Sequence, residues 1–171
     1  MLPLVPNNSK DLLTSIIKGS IISRIAIIIT IDDPKIGKIY AINTHLDYQL
    51  PSVQKRQLKN LLKMISGISF EYKIIITGYF NMEIGNPIFD SFVKELSDMG
   101  LKRISVNDKT NAEKFLNKTA IDHIFIPKNW EVIKSGIIEN KNLEQVTDHK
   151  GVYADIRIIT KEDNHERGYA K

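Results

Sequence analysis

The chain has 171 residues, a length usual for one domain, and 42% hydrophobic with 26% charged residues, a balance that excludes a disordered chain. It has no cysteine, which excludes a disulfide framework and any thiolate metal site and suits a reducing, cytoplasmic compartment. The net charge of +4 permits phosphate-bearing partners without demanding them.

Met1 to Pro6 lacks a basic start and a cleavage site, so no signal peptide is expected. The apolar zone Ile16 to Ile31 is broken by Lys18 and Arg24 and is too short and too charged to span a membrane. Residues 1–20 form a segment without a clear assignment, in which Ser9 is placed to cap a short helix and Gly19-Ser20 to end it. The main domain is expected over 21–160 and a polar tail over 161–171.

Ile21 to Ile31 reads as a β-branched strand. Asp32-Asp33-Pro34 turns the chain, Gly37 ends the turn, and Lys38 to Asn43 returns as the second arm of a hairpin. A helix is expected from Ser52 as N-cap, with Val53, Leu58, Leu61, Leu62 and Ile65 on one face and Lys55, Lys59 and Lys63 on the other, closed by Gly67. Lys73 to Thr77 is apolar without alternation, the pattern of a strand buried on both faces. A second helix starts at Asn86-Pro87, as cap and first helical residue, and stops at Gly100. Residues 105–119 read as a surface loop, Ala120 to Ile126 as a strand stopped by Pro127, Trp130 to Ile138 as a hairpin arm, and Gly151 to Ile159 as a last strand. The order β-β-α-β-α-β-β-β, with helices outside antiparallel-rich sheets, implies an α+β layered sandwich.

Four polar clusters stand at the mouths of these strands: Asn43/His45, Tyr79/Asn81, Asp122/His123 and Asp148/His149. Binding groups collect on such loops because strands hold them rigidly. A carboxylate beside a His fixes its tautomer and raises its basicity, so that it activates water or meets a phosphate oxygen. Carboxylate and Asn oxygens suit Mg²⁺, and together these groups suit metal-assisted phosphoester hydrolysis. Each residue also has a plainer reading. His45 and Asp148/His149 fit as satisfied structural groups, Asp122 as a turn cap, Asn81 as a left-handed turn residue, and Tyr79 as a packing aromatic. His123 is expected to be a solvent-side strand residue, and the lysines at 55, 59 and 63 a solvated helix face.

The four motifs, Asn43-Thr44-His45-Leu46-Asp47, Gly78-Tyr79-Phe80-Asn81, Ile121-Asp122-His123-Ile124-Phe125 and Thr147-Asp148-His149, occur in an order that resembles the endonuclease/exonuclease/phosphatase superfamily, the deoxyribonuclease-I-like proteins. That family shows Thr-His-Leu, Gly-Asp-Phe-Asn, an Ile-Asp-Tyr-Ile-like motif and a closing Ser-Asp-His. The resemblance covers roughly residues 20–160. It implies a layered α/β/β/α sandwich, here N-terminally truncated. By the same resemblance His45 binds the scissile phosphate, Asn81 orients the nucleophile or stabilises phosphoryl oxygens, Asp122 pairs with His149, His149 is general base or phosphate ligand, and Asp148 sits at Mg²⁺ or Mn²⁺.

Two departures from the family imply a weak or inactive enzyme. The motif Asp is Tyr79, a larger side chain that is uncharged at pH 7 and a poor Mg²⁺ ligand. No Gln-Glu dipeptide supplies the family's metal-binding Glu. The expected ligands are phosphate-containing substrates: nucleic acid, a phospholipid headgroup or an inositol phosphate. The alternative is a non-catalytic remnant that binds a phosphate-containing ligand or a protein partner. A partial sandwich is also expected to leave an apolar sheet face open, to be covered by a homodimer or by the first 20 residues.

Overall fold

The computed structural model describes residues 24–68, 73–104, 120–138, 147 and 149–158. The expectations for the N-terminal segment, the loops 105–119 and 139–146, Asp148 and the polar tail fall outside these residues.

β1 (Ala26–Asp33) and β2 (Gly37–His45) form the expected hairpin, with Arg24 and Ile25 leading into it. Asp33 holds the turn: its Oδ1 accepts from the backbone N–H of Lys35 at 2.8 Å and of Ile36 at 2.9 Å. Gly37 then takes φ +85°, a conformation that residues with a Cβ resist. β2 continues through Asn43 to His45, so the polar end of the strand is part of the sheet.

α1 (Pro51–Ser66) starts one residue before the expected cap. Leu50 holds the capping position without a side-chain hydrogen bond, Pro51 fits the first turn, and Ser52 lies inside the helix. Gly67 ends it in right-handed geometry, φ −78°, not in the left-handed conformation usual for a closing glycine. α2 (Pro87–Asp98) is capped as expected: Asn86 accepts from the N–H of Ile88 at 3.0 Å and of Phe89 at 3.4 Å.

β3 (Lys73–Tyr79), β5 (Asp122–Pro127), β6 (Glu131–Ile138) and β7 (Gly151–Arg157) match expected strands. β4 (Leu101–Ile104) was not expected. Its four residues, Leu-Lys-Arg-Ile, are too few for a periodic signal, and pairing with β5 makes the strand.

Five strands make one mixed sheet in the order β1-β2-β3-β5-β4, and β6-β7 make a second. β2 and β3 are parallel, with α1 as the crossover that a parallel pair requires. One face of the large sheet, through Ile28, Ile42, Ile76 and Phe125, buries Leu58, Leu61 and Ile65 of α1 and Phe89, Phe92 and Leu96 of α2. The other face, through Ile39, Ile75, Ile124 and Ile126, packs with Trp130 on Val132, Val152, Ala154 and Ile156 of the small sheet. β3 is therefore covered on both sides, as its unbroken apolar run implies. The described residues thus stack as helices, sheet, sheet, the α+β sandwich expected from the element order. Ile27 and Ile29 on edge strand β1 are exposed, Ile29 at 58%. Among the described residues no helix is long and apolar enough to cross a membrane.

Candidate active site

The sheet register puts three of the singled-out residues in one row. His45 of β2 is opposite Tyr79 of β3, and Tyr79 is opposite Asp122 of β5. Paired residues in a sheet project to the same face. Odd-numbered neighbours such as Ile39 and Ile75 pack toward the small sheet, so the row faces that sheet as well. Gly78 permits the close approach of β2 and β3 just beside the row: a Cβ there would lie 2.3 Å from the carbonyl oxygen of Thr44.

His149 comes onto this row from the segment leading into β7. Thr147 Oγ1 accepts its backbone N–H at 3.1 Å, and its ring Nδ1 meets Asp122 Oδ2 at 2.8 Å. A carboxylate accepts, so the geometry puts the proton on Nδ1 and leaves Nε2 as the outward nitrogen. The expected Asp122–His149 pair is therefore formed.

Tyr79 lies between the two histidines. Its ring stacks on His45 with centroids 4.6 Å apart and 28° between planes, and meets His149 at 4.2 Å and 57°. The aromatic fills the space on which both imidazoles converge. His45 has a further neighbour: Arg24 Nη1 lies 3.1 Å from its Nε2. Arg only donates, so His45 Nε2 accepts and its proton rests on Nδ1. Loss of solvent around the ring, and then the Arg24 charge, hold the His45 pKa below its ordinary value.

Asn81 takes φ +56°, the turn conformation weighed for it, and its Nδ2 donates to Leu46 O at 2.8 Å. Its amide nitrogen is thereby committed to the loop that follows His45. Two buried glutamines of α1 strengthen that brace. Gln54 Nε2 donates to Asp47 O at 2.9 Å and to Asn81 O at 3.4 Å, and Gln57 Oε1 accepts from Asp47 N at 2.8 Å. The loops after β2 and β3 are thus tied to each other and to α1.

His123 departs from expectation. It is not on the solvent side: it is 1% exposed and stacks on Phe89, with centroids 4.5 Å apart. β5 alternates, and with Asp122 facing the small sheet His123 must face the helices. Its Nε2–H donates to Met82 O at 2.8 Å, and Arg103 Nη1 donates to its Nδ1 at 3.3 Å. Burial, first of all, lowers its pKa to about 4.

Arg24, Gln54 and Gln57 are the participants that the motifs did not flag, and His123 was flagged but placed on the wrong face. Arg24 was traceable once the hairpin register is drawn, because Ala26 opposite Thr44 leaves Arg24 beside the end of β2. The glutamines sit at helix spacing within an apolar face, where a buried polar residue signals a hydrogen-bonding duty.

The described side chains do not make a Mg²⁺ site. No three His, Asp or Glu among the described residues are grouped to hold a metal. The Asp122 carboxylate is engaged by His149, and a phenol stands where the motif has a carboxylate. Asp148, the expected metal residue, is outside the described residues.

Neither a family model nor a curated protein matches the sequence. Solved structures do match. An endonuclease/exonuclease/phosphatase from Bacteroides vulgatus superposes with TM-score 0.67 at 19% identity, over 82% of this chain and 57% of that one. A mannosyl-6-phosphatase of Bacteroides thetaiotaomicron gives 0.64 at 18%, over 81% and 59%. TDP2 of D. rerio, complexed with a single-strand DNA product, gives 0.61 at 16%, over 81% and 64%. This chain therefore has the endonuclease/exonuclease/phosphatase fold and spans less than two thirds of each of these structures.

Proposed function

We propose that the chain is a member of the endonuclease/exonuclease/phosphatase superfamily whose site descends from a metal-assisted phosphoesterase and is impaired by Tyr79. The observation that carries this reading is the single row His45–Tyr79–Asp122 with His149 docked on Asp122. The order of the four motifs and the shared fold support it. The ligand in this reading is a phosphate-containing molecule: a nucleic acid, a phospholipid headgroup or an inositol phosphate.

In this account Asp122 fixes the His149 tautomer, and His149 Nε2 takes a proton or meets a phosphate oxygen. His45 offers Nδ1–H to the same oxygen cluster while Arg24 supplies positive charge beside it. Asn81 positions the His45 loop through Leu46 O. Bound Mg²⁺ or Mn²⁺ would neutralise phosphoryl charge, and Asp148 is the residue assigned to hold it. Tyr79 leaves that donor set short of a carboxylate.

The second reading, a non-catalytic protein that binds a phosphate-containing ligand or a protein partner, rests on the same ring filling the space between the histidines. Hydrolysis of a generic phosphodiester and of plasmid DNA separates the two, with Mg²⁺ and with Mn²⁺. The parent is run beside Tyr79→Asp and His149→Ala. The first reading predicts that Tyr79→Asp raises turnover by about 100-fold or more over a near-silent parent, and that His149→Ala removes what remains, as expected for groups acting as a unit. Silence in all three proteins sinks the enzyme reading and leaves the binding one.

A further inference from the structure

We propose that the furrow between α1 and α2, on the outer side of the helical layer, docks an acidic amphipathic helix of a partner protein. The site row faces the small sheet, whereas this furrow lies on the opposite side of the large sheet. It stands or falls independently of the phosphoesterase reading.

The furrow has a volume of about 510 Å³, with Leu58, Leu62, Ile88 and Phe92 along its floor. That volume is within the range of sites that bury a ligand. Two packed helices with an apolar seam offer the geometry into which a third helix lays residues i, i+3, i+4 and i+7.

The charges choose the partner. α1 carries Lys55, Arg56, Lys59 and Lys63 and no acidic residue. Lys55, Lys59 and Lys63 repeat every four residues, about 6 Å apart along the axis. Like charges at this spacing cost an isolated helix a few tenths of a kcal/mol per pair, and of the three only Lys63, in the last turn, gains from the helix dipole. Among the described residues none of the three is in an ion pair. Lys55 and Lys59 form one rim of the furrow. The facing rim is set by α2, where Asp90, Glu95 and Asp98 outnumber Lys94 and Glu95 lines the furrow. A helix seated here meets Lys55 and Lys59 along one flank and Glu95 on the other. Its acidic flank therefore lies over α1. A nucleic-acid strand fits less well: Phe92, the one aromatic along the floor, is 2% exposed and offers no stacking face, and Glu95 on the second rim repels phosphate.

The test uses the full 171-residue chain with labelled Ile and Leu methyls. The probe is a designed peptide of about 20 residues, long enough to hold a helix. It carries Leu along one face and Glu along one flank. A sister peptide carries Lys on that flank. The expected result is that the Glu peptide shifts the methyls of Leu58, Leu62 and Ile88 and binds at least about tenfold more tightly than the Lys peptide. The double variant Lys55→Glu/Lys59→Glu reverses that preference, and its gain of Lys-peptide binding shows that it is folded. Equal binding of the two peptides, no shift at these methyls, or stronger shifts with an oligothymidylate than with the Glu peptide would each overturn the proposal.

Discussion

In the proposed reading, Tyr79 alters the site without disturbing its frame. The backbone at this position pairs in register on both sides, with His45 and with Asp122, so the sheet accepts the aromatic as it would a carboxylate. What changes is the space between the imidazoles and the charge available to a cation. The sequence exposed this residue because it breaks a recognisable motif. His123 was misread because strand alternation by itself does not say which face is wet. Both faces of β5 are covered, one by helices and one by β6-β7. Its burial has a measurable consequence. Unfolded His123 takes up its proton near pH 6.5 and folded His123 only near pH 4. Between those values the unfolded chain binds more protons, so stability falls as pH drops through this window, by at most about 3 kcal/mol. His45 shifts in the same direction, so a non-titrating variant is the reference. Urea unfolding at pH 7.5 and 4.5 checks the point: the parent should lose about 2 kcal/mol more than His123→Gln, whose amide keeps the bond to Met82 O. Equal losses would show that His123 does not titrate as described.

At the scale of elements, the two helices begin by different means. α2 starts with a side-chain cap that the sequence announces, Asn before Pro. α1 starts with Pro51 after an uncapped Leu50, and its first turn is held by Val53 and Gln54 bonding back to Leu50 O at 2.9 and 3.0 Å. Asn86→Ala is therefore expected to cost about 1 kcal/mol, and Ser52→Ala to stay within about 0.5 kcal/mol of the parent. Thermal or urea unfolding of the two variants decides between this assignment and the sequence reading, which made Ser52 the cap. The same contrast explains what was readable. Capping chemistry, turn residues and long apolar periods identified eight of the nine elements among the described residues, and β4 escaped because four residues depend on their neighbour for their conformation. The loops after β2 and β3 were visible as polar clusters. Their mutual bracing by Asn81, Gln54 and Gln57 was not, because side-chain to main-chain bonds across 7 to 35 residues leave no local pattern.

At the scale of the molecule, topology assembles the site. His45, Tyr79 and Asp122 are far apart in sequence and become neighbours only when β3 is placed between β2 and β5. Motif order pointed to this grouping, and the sheet register accounts for it physically. The helical layer, the large sheet and the two-stranded sheet give the row a rigid floor. The central claim is that His45 and His149 face one ligand site that Tyr79 fills. Imidazole proton NMR during titration with inorganic phosphate tests it most directly, in the parent and in Tyr79→Gly. The account predicts that both histidine resonances move together in Tyr79→Gly at phosphate concentrations that leave the parent unchanged. If only one histidine responds, or if the parent and the variant respond alike, the two rings do not share a site that Tyr79 closes.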